Sequence, residues 1–111
     1  MFPPPGVKVF VFQEAADMRK SFEGLSGLVR KELGENPLSG AWFVFFNRRG
    51  DYVKVLYWAE TGYCIWSKRL EAGTFRVKKG VKELEAWELM LILEGVELRE
   101  VRRQKRFRLA A

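Results

Sequence analysis

The fold is decided by residues 41–71, AWFVFFNRRGDYVKVLYWAETGYCIWSKRLE. This stretch contains three runs rich in aromatic and β-branched residues, a composition typical of β-strands. The first two runs are separated by Asn47-Arg48-Arg49-Gly50-Asp51, where Gly50 can adopt the positive φ that closes a short hairpin. Ala59-Glu60-Thr61-Gly62 separates the second run from the third. Two tight connections in succession predict an antiparallel meander.

The segments that flank the meander predict two more strands and one helix. Residues 7–12 (VKVFVF) form a first strand, and Thr74-Phe75-Arg76-Val77 forms a short fourth strand of the meander. Between residues 17 and 34, apolar side chains recur at helical spacing. We expect Asp17 to be the N-cap of this helix, and Gly34 to end it in a left-handed conformation.

A second helix is predicted between the meander and Gly95. Its apolar positions include Leu84, Trp87 and Leu91 on one helical face, and further apolar residues predict burial on most sides. The predicted fold class is therefore α+β, with an antiparallel meander sheet of about five strands and two helices packed on one face. The other sheet face would then keep large aromatic side chains, leaving an apolar patch unless a partner covers it.

The composition limits the chemistry that the chain can perform. A length of 111 residues favours one domain, which we place at residues 1–98, followed by a flexible basic tail at 99–111. The absence of histidine excludes catalysis that needs an imidazole base and most zinc sites. Cys64 is the only cysteine, and its place in a strand predicts a buried structural thiol. With no signal peptide or membrane span in the sequence, we expect a cytoplasmic protein.

Acidic residues offer one catalytic alternative, a metal site for phosphoryl transfer. The acids near the meander are Asp51, Glu60 and Glu71, each in or beside a turn. Asp51 and Glu60 stand at opposite ends of one predicted strand, so these two carboxylates are not expected to converge. The sequence therefore predicts a protein that is not an enzyme and that carries no metal and no cofactor.

The net charge of +6 is unevenly distributed along the chain. Residues 1–98 carry 14 basic and 13 acidic residues, whereas residues 99–111 carry 6 basic residues and one acid. A basic block of this kind is typical of an arm that contacts polyanions, and the alternative is a solubilising tail without a ligand. The body is nearly neutral, so the positions of its cations matter more than their number.

Several cations of the body lie where they can reach a phosphate backbone, at the hairpin tip, at strand ends and at the start of the first helix. The aromatic residues between them favour nucleic-acid binding, because bases stack on exposed rings. The alternative is that these charges form a solvated face. The candidate nucleic-acid-binding residues are Arg19, Lys20, Arg48, Arg49, Lys54, Lys68 and Arg69, together with Arg102, Arg103, Lys105 and Arg106 of the tail.

The order and spacing of several blocks over residues 2–96 resemble a known family. The blocks are Asp17-Met18-Arg19-Lys20-Ser21-Phe22-Glu23-Gly24-Leu25, Phe43-Val44-Phe45-Phe46, Arg48-Arg49-Gly50-Asp51, Lys54-Val55-Leu56-Tyr57-Trp58, Gly62-Tyr63-Cys64, Lys68-Arg69-Leu70-Glu71-Ala72-Gly73-Thr74-Phe75 and Leu93-Glu94-Gly95-Val96. They resemble the accessory protein from the second reading frame of bacterial insertion sequence sixty-six elements, commonly labelled TnpB and distinct from the RNA-guided nucleases of that label. The tail after Leu98 lies outside the shared blocks.

The resemblance implies a non-enzymatic accessory protein for DNA transposition, which works beside a separate, larger transposase. Its expected partners are DNA at the element ends, that transposase and further copies of itself in a homo-oligomer, with no membrane partner. The alternative function is a protein-interaction module without direct DNA contact, in which an aromatic sheet face forms a homodimer or docks the transposase.

Overall fold

A computed structural model describes residues 3–95 of the chain. The elements are β1 (Val9–Val11), α1 (Phe22–Leu28), β2 (Trp42–Phe46), β3 (Tyr52–Ala59), β4 (Gly62–Arg69), β5 (Glu83–Leu84) and α2 (Ala86–Leu93). Five strands and two helices confirm the predicted α+β class.

The five strands form one mixed sheet in the order β4-β3-β2-β1-β5. The predicted meander is confirmed, because β2, β3 and β4 are antiparallel neighbours. The prediction of a purely antiparallel sheet is wrong. β1 pairs parallel to β2, since α1 carries the chain back across the sheet between them. β5 then pairs antiparallel to β1 at the far edge.

The predicted fourth meander strand, Thr74–Val77, is also wrong. These residues have irregular backbone, and the Phe75 N–H donates to the Gly50 carbonyl at 2.8 Å. The Phe75 ring is buried and packs on Phe46, with 5.7 Å between the ring centroids. One apolar anchor therefore holds this segment against the hairpin between β2 and β3.

The two helices pack on opposite faces of the sheet, whereas one shared face was predicted. All five residues of β2 are apolar. Because successive side chains of a strand point to opposite faces, β2 is apolar on both faces of the sheet. Phe43 and Phe45 pack with Leu25 of α1. Trp42 and Val44 pack with Leu89, Ile92 and Leu93 of α2. The aromatic face that was expected to stay open is thus covered by α2.

The start of α1 and the buried face of α2 differ from the sequence prediction. Asp17 is not the N-cap of α1, because Ser21 occupies that position. The first helix continues as a π-helical segment, Val29–Leu33, and ends as predicted at Gly34 with φ of 66°. In α2, Trp87 is 55% exposed, because Leu89, Ile92 and Leu93 are the residues that face the core.

Candidate nucleic-acid interface

One end of the sheet receives three connections of the chain. β1, β2 and β4 end there, and β3 and β5 begin there. The connections are residues 12–21 between β1 and α1, 47–51 between β2 and β3, and 70–82 between β4 and β5. We call these three connections, together with Arg69 at the end of β4, the basic end.

Backbone hydrogen bonds hold the three connections to the sheet and to one another. Within residues 70–82, the Leu70 N–H donates to the Asp51 carbonyl at 2.8 Å, and the Phe75 N–H binds the hairpin as described above. The Lys82 carbonyl accepts from the Val11 N–H at 2.9 Å. The Ala16 N–H donates to the Phe46 carbonyl at 2.8 Å. Loops distant in sequence are therefore neighbours in space.

The basic end carries nine cations and four carboxylates. All nine cations except the half-buried Lys20 are exposed. The cations are Arg19, Lys20, Arg48, Arg49, Arg69, Arg76, Lys78, Lys79 and Lys82, and the carboxylates are Glu14, Asp17, Asp51 and Glu71.

The opposite end of the sheet has the reverse balance. It consists of residues 3–8, 34–41, 60–61 and 85–88, which we call the acidic end. Its charged residues are one cation, Lys8, and four carboxylates, Glu35, Glu60, Glu85 and Glu88. A body that is nearly neutral in total is thus strongly polar from end to end.

The hairpin tip at residues 47–51 is fixed by the Asn47 side chain. Its Oδ1 accepts from the N–H groups of Asp51 at 3.0 Å and Tyr52 at 3.1 Å. Its Nδ2 donates to Asp51 Oδ1 at 2.7 Å, and this bond lowers the pKa of Asp51. Gly50, at φ of 76°, completes the turn. The Asp51 carboxylate is engaged within the turn, while Arg48 and Arg49 project into solvent.

Two further arginines of the basic end have local partners. The Arg69 guanidinium lies 4.5 Å from the centre of the Tyr52 ring, which holds it beside the hairpin tip. Arg19 Nη2 forms an ion pair with Asp17 Oδ2 at 2.8 Å. The hydrogen bonds from the Arg19 side chain and backbone lower the pKa of Asp17 from 3.8 to about 2. Asp17 therefore offsets part of the charge that Arg19 presents.

Lys54 and Lys68 make internal hydrogen bonds. Lys54 Nζ donates to the Lys20 carbonyl at 2.8 Å, on the α1 face of the sheet. Lys68 Nζ donates to the Leu93 carbonyl at 2.8 Å, at the end of α2. Both side chains are half-buried and lie on opposite faces of the sheet, and each ammonium group is engaged by a backbone carbonyl of the fold.

The sequence-based candidate set therefore divides into three groups. Arg19, Lys20, Arg48, Arg49 and Arg69 are brought together at the basic end, and Lys54 and Lys68 bond within the fold. The third group, Arg102, Arg103, Lys105 and Arg106, lies outside the described residues.

Four members of the basic end were not among the predicted site residues: Arg76, Lys78, Lys79 and Lys82. They reach this end because residues 70–82 cross from β4 to β5, beside β1. The basic composition of residues 78–82 was a visible signal. The two-residue strand that follows them carries too little pattern to reveal its pairing.

Other candidate chemistry gains no support from the described part of the chain. Asp51 and Glu60 flank opposite ends of β3, and within residues 3–95 no three metal-binding side chains cluster. Cys64 is half-buried, whereas a buried thiol was predicted. The pKa of Tyr57 is raised mainly by its burial and to a smaller extent by the neighbouring Cys64 thiol. Between residues 3 and 95, no helix has the length and apolarity to cross a membrane.

The fold and the charge distribution define a class of protein: a small α+β protein whose sheet ends in a cationic surface. The chain belongs to the family described as IS66 Orf2 like protein, which matches residues 7–103. The match extends past residue 96, where the resemblance was expected to end, and so includes Arg99, Arg102 and Arg103 of the basic segment.

Two relatives from Sinorhizobium fredii (strain NBRC 101917 / NGR234) support this assignment. The uncharacterized protein y4jC is 31% identical over 105 residues, which cover 92% of this chain and 90% of the relative. The uncharacterized protein y4hO is 33% identical over 96 residues, covering 84% of each chain. No solved structure matches the chain.

Proposed function

We propose that this protein is a non-enzymatic accessory factor for transposition of its insertion sequence, and that it binds DNA through the basic end. The observation that carries the proposal is the convergence of nine cations, from three connections and one strand end, on one end of the sheet. Membership of the IS66 Orf2-like family supports the transposition role. The protein then acts in the bacterial cytoplasm, where the element's DNA is.

The chemistry of the basic end suits a phosphate backbone better than it suits base recognition. Cations that neutralise phosphates release condensed counterions, and this gives affinity with little dependence on sequence. Arg48 and Arg49 stand at the tip of a rigid hairpin, so they can enter a groove while the lysines of residues 78–82 contact flanking phosphates. Arg19 and Lys20 extend the same surface on the α1 side. The basic residues after Leu98 add non-specific affinity.

The acidic end makes the proposal directional. Its carboxylates repel a polyanion, so of the two ends of the described sheet the basic end is the one that can approach DNA closely. The acidic end is then free for the larger transposase of the same element. An interaction module that uses an open aromatic sheet face is not proposed, because α1 and α2 cover the two faces.

A binding assay with matched double variants tests the proposal. Arg48→Ala/Arg49→Ala removes two cations from the hairpin tip. Arg30→Ala/Lys31→Ala removes two exposed cations from the π-helical segment, which leads away from the basic end. With a fluorescent duplex that carries an element end, we expect the first variant to lose about tenfold in affinity and about 2 from the salt slope. The second should stay within about twofold of the parent.

Equal losses in the two variants would show that binding follows net charge and not the basic end. Unchanged binding by Arg48→Ala/Arg49→Ala would remove the hairpin tip from the interface. A duplex of unrelated sequence, measured in parallel, reports how much of the affinity belongs to the element end.

A further inference from the structure

We infer that the outer edge of β4 in the described sheet pairs with the β4 edge of a second copy of this chain, in antiparallel orientation. Within residues 3–95, β3 is the only strand bonded to β4, which spans eight residues at the edge of the sheet. The opposite edge is β5, which has only two residues. β4 is therefore the long edge of the described sheet.

The ladder between β3 and β4 determines which backbone groups of β4 are unpaired. The Leu70 N–H donates to the Asp51 carbonyl, and in an antiparallel ladder the residues that bond to the neighbour alternate. Even-numbered residues of β4 therefore bond to β3. The N–H and C=O groups directed away from the sheet belong to Tyr63, Ile65, Ser67 and Arg69.

The β4 edge lacks two of the devices that usually prevent strands from pairing, a proline and a bulge, and its charged residues, Lys68 and Arg69, are confined to its last two positions. It contains no proline, and its register with β3 is continuous over eight residue pairs, so there is no bulge. Four consecutive apolar side chains, Tyr63, Cys64, Ile65 and Trp66, are only half-buried, and they alternate between the two faces. A strand added at this edge would cover apolar surface on both faces at once.

Charge complementarity favours a second copy, and favours the antiparallel orientation. Glu60 precedes β4, and Arg69 ends it. A two-fold axis through Ile65 places Arg69 of each copy opposite Thr61 of the other, one residue from Glu60, whereas a parallel pair would align Arg69 with Arg69. In this register Tyr63 lies opposite Ser67, and about six backbone hydrogen bonds form between the copies. The two five-stranded sheets become one continuous sheet.

The orientation also determines where the two basic ends lie. Antiparallel pairing directs them to opposite sides of the joined sheet, separated by at least the length of β4. If the proposed DNA contact is correct, the dimer holds two DNA segments and not one. This consequence rests on the proposed function, but the dimer itself does not.

The oligomeric state of the full chain, measured by sedimentation equilibrium over a wide concentration range without DNA, tests the inference. The parent should be a reversible dimer. Ser67→Pro removes an outward N–H that β3 does not use, so dimer dissociation should increase at least about tenfold. Ser67→Ala keeps that N–H, and it should dimerise like the parent.

A charge exchange covers the case in which Ser67→Pro fails to fold, which far-ultraviolet circular dichroism would detect. Glu60→Lys and Arg69→Glu should each weaken the homodimer. An equimolar mixture of the two should restore association, because each copy then meets an opposite charge on its partner.

A parent that stays monomeric at every concentration overturns the inference. A dimer that is indifferent to both the proline and the charge changes lies on another surface, and overturns it too. Loss of DNA binding by Arg48→Ala/Arg49→Ala does not bear on this result, so the two proposals fail separately.

Discussion

The two ends of the sheet are built on the same strands and differ sharply in charge. The basic end gathers nine cations and four carboxylates, while the acidic end has one cation and four carboxylates among its charged residues. Both ends border the same buried core, in which Phe43, Val44 and Val55 are fully inaccessible. The core therefore does not require the difference, and the connections carry it.

This contrast shows how a chain of modest net charge can present a strongly charged surface. Residues 1–98 have nearly equal numbers of acids and bases, which by itself indicates a solvated surface without a polyanionic ligand. Segregation of the charges to the two ends changes the conclusion. The summed field at one end is positive even though the total is close to zero.

The largest predicted effect comes from reversing charges in the connection that sequence reasoning left out of the site. Arg76→Glu/Lys79→Glu should reduce duplex affinity by about a hundredfold at low salt, because two attractive contacts become repulsive. The matched change at Arg30 and Lys31, each to Glu, should cost less than about threefold. Fluorescence anisotropy measures both, and equal effects would contradict a division between the ends.

The second prediction separates lysines that hold the fold together from cations that contact DNA. Lys54→Met and Lys68→Met each remove one charged hydrogen bond to a carbonyl and keep the apolar stem. Each should lower the free energy of unfolding by about 1–2 kcal/mol, because these donors are only half-buried. DNA affinity should change less than about threefold.

Urea denaturation and the same anisotropy assay give both quantities for each lysine variant. A lysine whose loss left stability unchanged and weakened DNA binding tenfold would belong to the interface after all. The sequence-based assignment of that lysine to the nucleic-acid interface would then be correct.

The structure of residues 41–71 could be predicted from the sequence, because each strand is rich in aromatic and β-branched residues and the turns between them contain glycine. The pairing of β1 with β2 could not be read in the same way. Side-chain periodicity indicates a strand but not its neighbour, and α1 permits a parallel return. The sequence also did not determine which face of α2 packs on the sheet. Trp87 and Leu89 both fit an apolar helical face, but in the structure Leu89 is buried and Trp87 is exposed.

Only part of the candidate site could be predicted, because local sequence reveals a turn but not the distant partner of a side chain. Arg48 and Arg49 were identified because a hairpin tip is recognisable from local sequence. Lys54 and Lys68 looked equally suitable, because the carbonyls that accept from them come from residues 34 and 25 positions away. Long-range partners of this kind leave no local signature.

The smallest predicted effect concerns the carboxylate that faces Arg19 at the basic end. Because the folded pKa of Asp17 is about 2 and its ordinary value is 3.8, the ion pair stabilises the protein above that ordinary value. This contribution is lost as pH falls from 3.8 through about 2. Asp17→Asn should therefore lose less stability than the parent over that interval, and acid unfolding followed by circular dichroism measures the difference.

The same substitution also changes the charge that the basic end presents to DNA. At neutral pH, Asp17→Asn leaves Arg19 without its carboxylate, so duplex affinity should rise, by less than about threefold. A fall in affinity would show that Asp17 positions Arg19 for binding and does not merely offset its charge.

Amide chemical shifts of residues 3–95, followed during titration with a short duplex, test most directly whether DNA meets the basic end of the sheet and not the acidic end. We expect the largest changes in residues 13–20, 47–51 and 69–82, and we expect salt to reverse them. Residues 34–41, 60–61 and 85–88 should change little. Perturbations centred on the acidic end or on α2, or none at concentrations where binding is complete, would contradict binding at the basic end.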